Sequence, residues 1–223
     1  RNFHGGNNWL TMEISALATV ATNWPEYKKS EDWLAYSVET ISESMKGQVY
    51  EDGTQTELTS HYHNVAMQNF HLFKEICDRA NYPLPDFFNE TIEKMYSYIA
   101  HVIRPDGNRI LNNDGDRGSD VQLILRGAET FNKPEWKFAA TNGNSGVEPK
   151  NGPSFFYPWA GQLISRNNYS KDAHWSFFDV GPWGSGHQHN DKLHLSISAF
   201  GRDLLVDAGR FAYTGEVAQK FRG

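Results

Sequence analysis

Apolar residues recur at helical spacing through the first two thirds of the chain and then give way to alternation. Leu10, Ile14, Leu17, Val20 and Ala21 predict a helix that stops at Pro25. A second helix is predicted over about 26–45. A third, over 57–80, carries Leu58, Val65, Leu72 and Ile76. Weaker periodic stretches predict helices over about 86–103 and 119–131. The turn-rich runs Arg104-Pro105-Asp106-Gly107 and Asn112-Asn113-Asp114-Gly115 separate them. Helices of this length with short connections imply antiparallel helix hairpins.

Beyond Thr141 the pattern changes. Asn142-Gly143-Asn144-Ser145-Gly146 through Asn151-Gly152-Pro153 has the composition of a linker, and the segments after it are short and extended, at about 155–165, 174–180, 193–199 and 203–206. Leu193 to Ser198 alternates apolar and polar side chains, as a half-buried antiparallel strand does. Phe200-Gly201-Arg202-Asp203 then turns into Leu204-Leu205-Val206. The predicted class is therefore α+β, with a helical domain over 1–150 and the first strands of an antiparallel sheet domain over 151–223. No solenoid-like internal repeat is visible.

Composition narrows the function classes. The 223 residues are 39% hydrophobic and 14% aromatic, enough to bury a core, and no apolar run is long enough to span a membrane. A net charge of -6 disfavours sequence-independent nucleic-acid binding, which needs a basic surplus, but it allows a local basic cleft for an anionic sugar. Seven tryptophans suit a carbohydrate groove, because pyranose rings stack on indole; core packing is the competing use. The single cysteine, Cys77, sits in an apolar helical run, reads as a buried thiol and excludes an intrachain disulfide framework. The chain begins at Arg1 without an initiator Met or a leader-like run, so both ends are expected to be cuts in a longer protein.

Three places concentrate residues that a core does not need. Gly5-Gly6-Asn7-Asn8-Trp9 puts glycines and amides at a helix start, where Asn also serves as an ordinary N-cap. Gln55-Thr56-Glu57 precedes Ser60-His61-Tyr62-His63; two residues apart on a helix point about 200° apart, so His61 and His63 cannot chelate one metal, and Tyr62 stands between two imidazoles. The densest cluster is Gly181-Pro182-Trp183-Gly184-Ser185-Gly186-His187-Gln188-His189-Asn190-Asp191. If extended, it sets His187, His189 and Asp191 on one face. Val206-Asp207-Ala208-Gly209-Arg210 then ends an apolar strand with a carboxylate.

The run from Phe178-Asp179-Val180-Gly181-Pro182 to His187-Gln188-His189-Asn190-Asp191, followed by Ala199-Phe200-Gly201-Arg202 and Leu205-Val206-Asp207-Ala208-Gly209, closely resembles the signature of heparinase II/III-like polysaccharide lyases. Asp52-Gly53-Thr54-Gln55-Thr56-Glu57 with Ser60-His61-Tyr62-His63 resembles their helical catalytic motif. Asn8 stands upstream of Tyr62 at the spacing of heparinase III-like members. The resemblance implies an incomplete toroid of helix hairpins followed by an antiparallel β-sandwich, both truncated here, and a periplasmic or secreted protein. It also implies cleavage of a uronate-containing glycan by β-elimination, with a heparan sulfate-like glycosaminoglycan as the favoured polymer and no nucleic-acid or membrane partner. Asn8 would contact the uronate carboxylate, Tyr62 would act at C5 and the glycosidic oxygen, and His187 would assist. Gln55, Glu57, His61, His63, Trp9, Arg117 and Arg210 are the expected substrate-side residues, with His61, His63 and the arginines as cations able to lower the Tyr62 pKa. His189 and Asp207 would hold a structural zinc whose third ligand, a His, is expected beyond Phe221-Arg222-Gly223.

Four other readings stay open at this stage. An alginate or oligoalginate lyase shares the whole apparatus. A uronyl C5-epimerase shares the proton abstraction, a zinc hydrolase would use His187, His189 and Asp191, and a non-catalytic glycan-binding protein would keep only the aromatics.

Overall fold

Helix α1, Asn8–Asn23, is the first element of the structure, a computed structural model that describes residues 7–184, 186–190, 192–210 and 212–216. It is followed by α2 (Ser30–Gln48), α3 (Ser60–Arg79), α4 (Asp86–Val102), α5 (Val121–Thr130) and α6 (Pro134–Ala140). The local rules account for their ends. Trp24 precedes Pro25, whose ring pushes the residue before it out of the helical region, and Pro134 stands at the first turn of α6, where its missing N–H is not needed. The sequence reading left out α6, whose seven residues are too few to display a periodicity.

The helices pack in a stagger: α1 against both α2 and α3, α3 against α4, and α4 against α5 and α6. The α4 stripe of Phe88, Ile92, Met95, Tyr96 and Ile99 is buried in full, as a 3.6-residue period facing a core requires. Cys77 is buried and free, as expected from its setting.

Five strands follow: β1 (Phe155–Tyr157), β2 (Gln162–Arg166), β3 (Trp175–Asp179), β4 (His194–Ala199) and β5 (Arg202–Leu205). They form one antiparallel meander in the order β1-β2-β3-β4-β5. The stretch read as a single segment over 155–165 is two strands, because Pro158 to Gly161 turns the chain; Gly161 has φ +64, and a Cβ there would meet the Gly181 backbone at 2.3 Å.

One face of the sheet lies on the helices, and its Tyr157, Ile164, Trp175 and Phe177 join the helical core. Polar ties fix the docking: Tyr98 donates to Gln162 Oε1 at 2.8 Å, Arg166 Nη1 to the Ile103 carbonyl at 3.2 Å, and His101 Nδ1 meets the Tyr157 hydroxyl at 2.7 Å. The other face carries Phe156, Leu163, Phe178 and Leu195 directly opposite one another across four strands. Phe156 is 60% and Leu163 40% exposed, so among the described residues the β1–β2 end of this apolar row has no cover, while Phe178 and Leu195 are partly buried.

Candidate active site

Four segments meet at the start of α3: the loop 52–59, the loop 109–116, the His-rich residues 186–190, and residues 207–210 with Tyr213. The 109–116 loop is the joint. Ser60 N–H donates to Asn112 Oδ1 at 2.9 Å, Ser60 Oγ to the Ile110 carbonyl at 2.6 Å, and the Asn112 and Asn113 amides both donate to the Leu58 carbonyl at 2.9 Å. Glycines allow the close approach. A Cβ on Gly184 would sit 2.9 Å from the Thr56 carbonyl, and one on Gly209 would sit 2.5 Å from the Gly115 carbonyl.

The Tyr62 ring lies in parallel on the His187 ring, with centroids 3.7 Å apart and planes at 10°. Its hydroxyl is 2.8 Å from that of Tyr213, which in turn donates to Asp114 Oδ2 at 2.9 Å and lies 3.0 Å from His187 Nδ1. His187 Nδ1 also meets Asp114 Oδ2 at 2.9 Å, while its Nε2 is 3.8 Å from Glu57 Oε2. His189 Nε2 meets the other Asp114 oxygen at 3.0 Å. Burial alone would raise the Asp114 pKa. The hydrogen bonds from His187, His189 and Tyr213 outweigh it and hold the carboxyl below its ordinary value. The Tyr213 phenol is pushed up, by burial first and then by its bonds to Tyr62 and Asp114. Burial also raises Glu57, against the opposing pull of Gln55 and His187.

Several expected residues take places other than those expected. The His-rich block is not an extended strand: His187 has φ +51, β4 starts only at His194, and both imidazoles reach Asp114 because the loop turns there. Asp191 lies outside the described residues. His63 is only 2% exposed; its Nδ1 accepts from the Gln55 N–H at 3.3 Å, its Nε2 meets the Met95 carbonyl at 3.0 Å, and burial lowers its pKa to about 4. It is therefore neutral near pH 7 and has no access to a glycan. Gln55 is equally buried and faces inward to Glu57, donating to its Oε1 at 3.2 Å. These two residues shape the loop instead of lining the cleft.

His61 stands on the rim, edge-on to Tyr62 at 5.0 Å. Burial, helped by Arg109 and Arg210, lowers its pKa in spite of Asp116. The cation that faces the phenols is Arg210, 4.1 Å above the Tyr213 ring, paired with Asp116 and electrostatically coupled to Tyr62. Arg117 is exposed and acts on Asp203. Asn7, not Asn8, caps α1, accepting from the Trp9 and Leu10 N–H groups at 3.0 and 3.4 Å. Asn8 is thereby relieved of capping in the first turn of a helix that touches α3 through Asn69 and Thr11, 3.2 Å apart, and Trp9 beside it is exposed.

His189 and Asp207 flank Asn113: the His189 N–H donates to Asn113 Oδ1 at 2.8 Å, and Asp207 Oδ2 accepts from the Asn113 N–H at 3.0 Å. Asp207 Oδ1 also accepts from the Gly209 N–H at 2.7 Å. Among the described residues no three His, Cys, Asp or Glu side chains form a group able to hold a metal ion. His189 and Asp207 are two of the three or four donors that zinc takes, and the hydrolase reading turns on Asp191, which lies outside the described residues. The expected third His lies outside the described residues.

Asp114, Asp116, Arg109 and Tyr213 were not singled out in the sequence. Asp114 and Asp116 sit in a run that reads as turn punctuation, and Arg109 and Tyr213 belong to no motif. Nothing in Asn112-Asn113-Asp114-Gly115-Asp116 sets a carboxylate apart, because Asn, Asp and Gly are the residues that turns favour.

Known proteins resemble this chain in sequence and fold. The Heparinase II/III N-terminus model matches residues 1–133, and the Heparinase II/III-like, C-terminal model matches residues 149–223. A heparin-sulfate lyase of Bacteroides stercoris is 27% identical over 215 residues, covering 94% of this chain and 32% of the relative. A heparin-sulfate lyase of Pedobacter heparinus is 28% identical over 219 residues, covering 96% and 33%. The chain thus spans about a third of the length of these relatives. A solved heparinase III superposes with a TM-score of 0.87 at 27% identity, covering 99% of this chain and 36% of its own. With a family model matching more than half its residues and a second matching most of the remainder, the chain belongs to the heparinase II/III family.

Proposed function

We propose that this chain is the catalytic junction of a polysaccharide lyase that cleaves a uronate glycan of the heparan sulfate type by β-elimination, with Tyr62 moving the proton. The observation that carries this reading is the Tyr62 phenol, stacked on His187 and joined through Tyr213 to Asp114, with the Arg210 charge nearby. Relatives named heparin-sulfate lyases support the choice of polymer.

The chemistry follows from the acidity of C5. Removing that proton places charge beside an existing carboxylate, so the carboxylate must first be neutralised. Asn8 is assigned that task through its amide, and His187 through Nε2–H when both of its nitrogens carry protons, since Nδ1–H is given to Asp114; each donor contributes about 3–4 kcal/mol to the developing enolate. Tyr62, as phenolate, takes the C5 proton; the C4–O4 bond breaks as the C4–C5 double bond forms, and the phenol returns its proton to O4, leaving Tyr62 a phenolate again. One group serving both atoms implies syn elimination. In the resting arrangement the Tyr213 proton faces Asp114. At 2.8 Å the same hydroxyl is placed to turn and donate to a Tyr62 phenolate.

In the same reading, residues 1–150 belong to a toroid of helix hairpins and 151–223 to the first sheet of a β-sandwich, whose second sheet would cover the Phe156 to Leu195 row. A periplasmic or secreted setting goes with that reading. Zinc at His189 and Asp207 needs a further ligand from outside the described residues, and no step above uses it.

The deciding experiment is product analysis of the full-length protein on heparan sulfate, alginate and other uronate polymers. Elimination leaves an unsaturated uronate that absorbs in the ultraviolet; epimerisation, hydrolysis and simple binding leave none. Tyr62→Phe should abolish the signal with affinity held within about a few-fold. Absence of the chromophore on every polymer, or turnover surviving in Tyr62→Phe, overturns the reading.

A further inference from the structure

We propose that Asp114 is the positioning residue of this site, a single carboxylate that fixes His187, His189 and Tyr213 at once. The proposal rests on the lyase reading above and adds to it a residue that the recognised motifs do not contain. Each oxygen has its own duty. Oδ2 takes His187 Nδ1 and the Tyr213 hydroxyl, both at 2.9 Å, and Oδ1 takes His189 Nε2 at 3.0 Å.

This division determines which nitrogen each ring offers. His187 presents its Nδ1–H to Asp114, so its Nε2 is the atom turned to the Glu57 side, and the ring plane is held parallel to Tyr62. The backbone repeats the instruction: the Asp114 N–H donates to the His187 carbonyl at 3.0 Å, while neighbouring Asn113, at φ +56, holds the His189 N–H and Asp207. His187 itself lies at φ +51, a conformation costing about 1 kcal/mol or more for a side-chain-bearing residue. Contacts from Asp114 offset that strain. The Asp114 residue is only 3% exposed, so its partners are chosen by the protein and not by solvent. Of the groups its carboxylate holds, His187 stacks on the Tyr62 ring and the Tyr213 hydroxyl lies 2.8 Å from that of Tyr62.

The test uses the full-length protein with Asp114→Asn, which keeps shape and one acceptor while turning the other position into a donor, and Asp114→Ala for comparison. Kinetics would follow the ultraviolet product signal, and nitrogen–proton NMR correlations of labelled histidine would report which ring nitrogen of His187 carries the proton. Displacing a reacting group by about 1 Å costs on the order of 100-fold, so Asp114→Asn should lower kcat by about that factor with KM little changed. The His187 tautomer pattern should change in the same variant. A kcat within about threefold of wild type, an unchanged His187 pattern, or a kcat loss that merely tracks loss of folded protein overturns the assignment. If the unaltered protein eliminates no uronate polymer, the lyase reading fails, while the NMR comparison still decides whether Asp114 sets the ring.

Discussion

Acidification should unfasten this site from beneath, through a histidine that never touches substrate. His63 lies inside α3 with both nitrogens engaged, and its pKa falls from the ordinary 6.5 to about 4. The unfolded chain therefore binds a proton across a range in which the folded chain refuses it, so stability is present above about pH 6.5 and shrinks as the pH falls toward 4. That gap, at about 1.4 kcal/mol per pH unit, makes about 3 kcal/mol, a large part of the 5–15 kcal/mol typical of a folded domain. The loss has a local face as well. A proton on Nδ1 ends the bond from the Gln55 N–H, and Gln55 holds Glu57 through bonds of 2.9 and 3.2 Å. The assay is urea denaturation of wild type and His63→Gln at several values between pH 8 and 4. His101, whose pKa is lowered to about 3 by burial and by Arg166, pulls in the same direction, and the paired variant isolates His63 from it. Wild type should lose about 3 kcal/mol more than His63→Gln over this interval. Parallel pH dependence of the two proteins would refute the reasoning.

Replacing Asn8 or His187 with Ala should slow elimination about 100-fold, and a polymer whose carboxylates are reduced to alcohols should not react; equal steady-state rates on the reduced polymer would exclude carboxylate neutralisation. Gly209→Ala places a Cβ 2.5 Å from the Gly115 carbonyl at φ +65. It should cost at least about 1–2 kcal/mol, read as a lower midpoint in thermal melts. With only His189 and Asp207 as expected donors among the described residues, the 223-residue chain by itself should lose zinc on dialysis, checked by metal analysis. Stoichiometric retention would contradict that expectation.

The helices were legible because burial on one face leaves a 3.6-residue mark, and Ile92, Met95 and Ile99 carry it plainly. Tyr62 and His187 could be named because their motifs resemble a family's. Their contact could not be, since it depends on a left-handed His187 that an alternating reading takes for a strand. Asp114 was hidden for a different reason. Asn, Asp and Gly in a row satisfy the chemistry of a turn, and nothing in that row announces that the carboxylate faces inward. Likewise, the pattern Ser60-His61-Tyr62-His63 offers two imidazoles without saying that the helix buries one and exposes part of the other.

The sheet of nearest neighbours bears on how such a protein is made. In a meander each strand pairs with the one synthesised just before it, and the helix packing is almost as local, so most of the framework can assemble in step with translation. The hydroxyls of Tyr62 and Tyr213, by contrast, are 151 residues apart along the chain. A nascent polypeptide can thus hold the helices and strands described above while the two phenols are still divided between what has left the ribosome and what has not, and their contact forms only once Tyr213 has emerged.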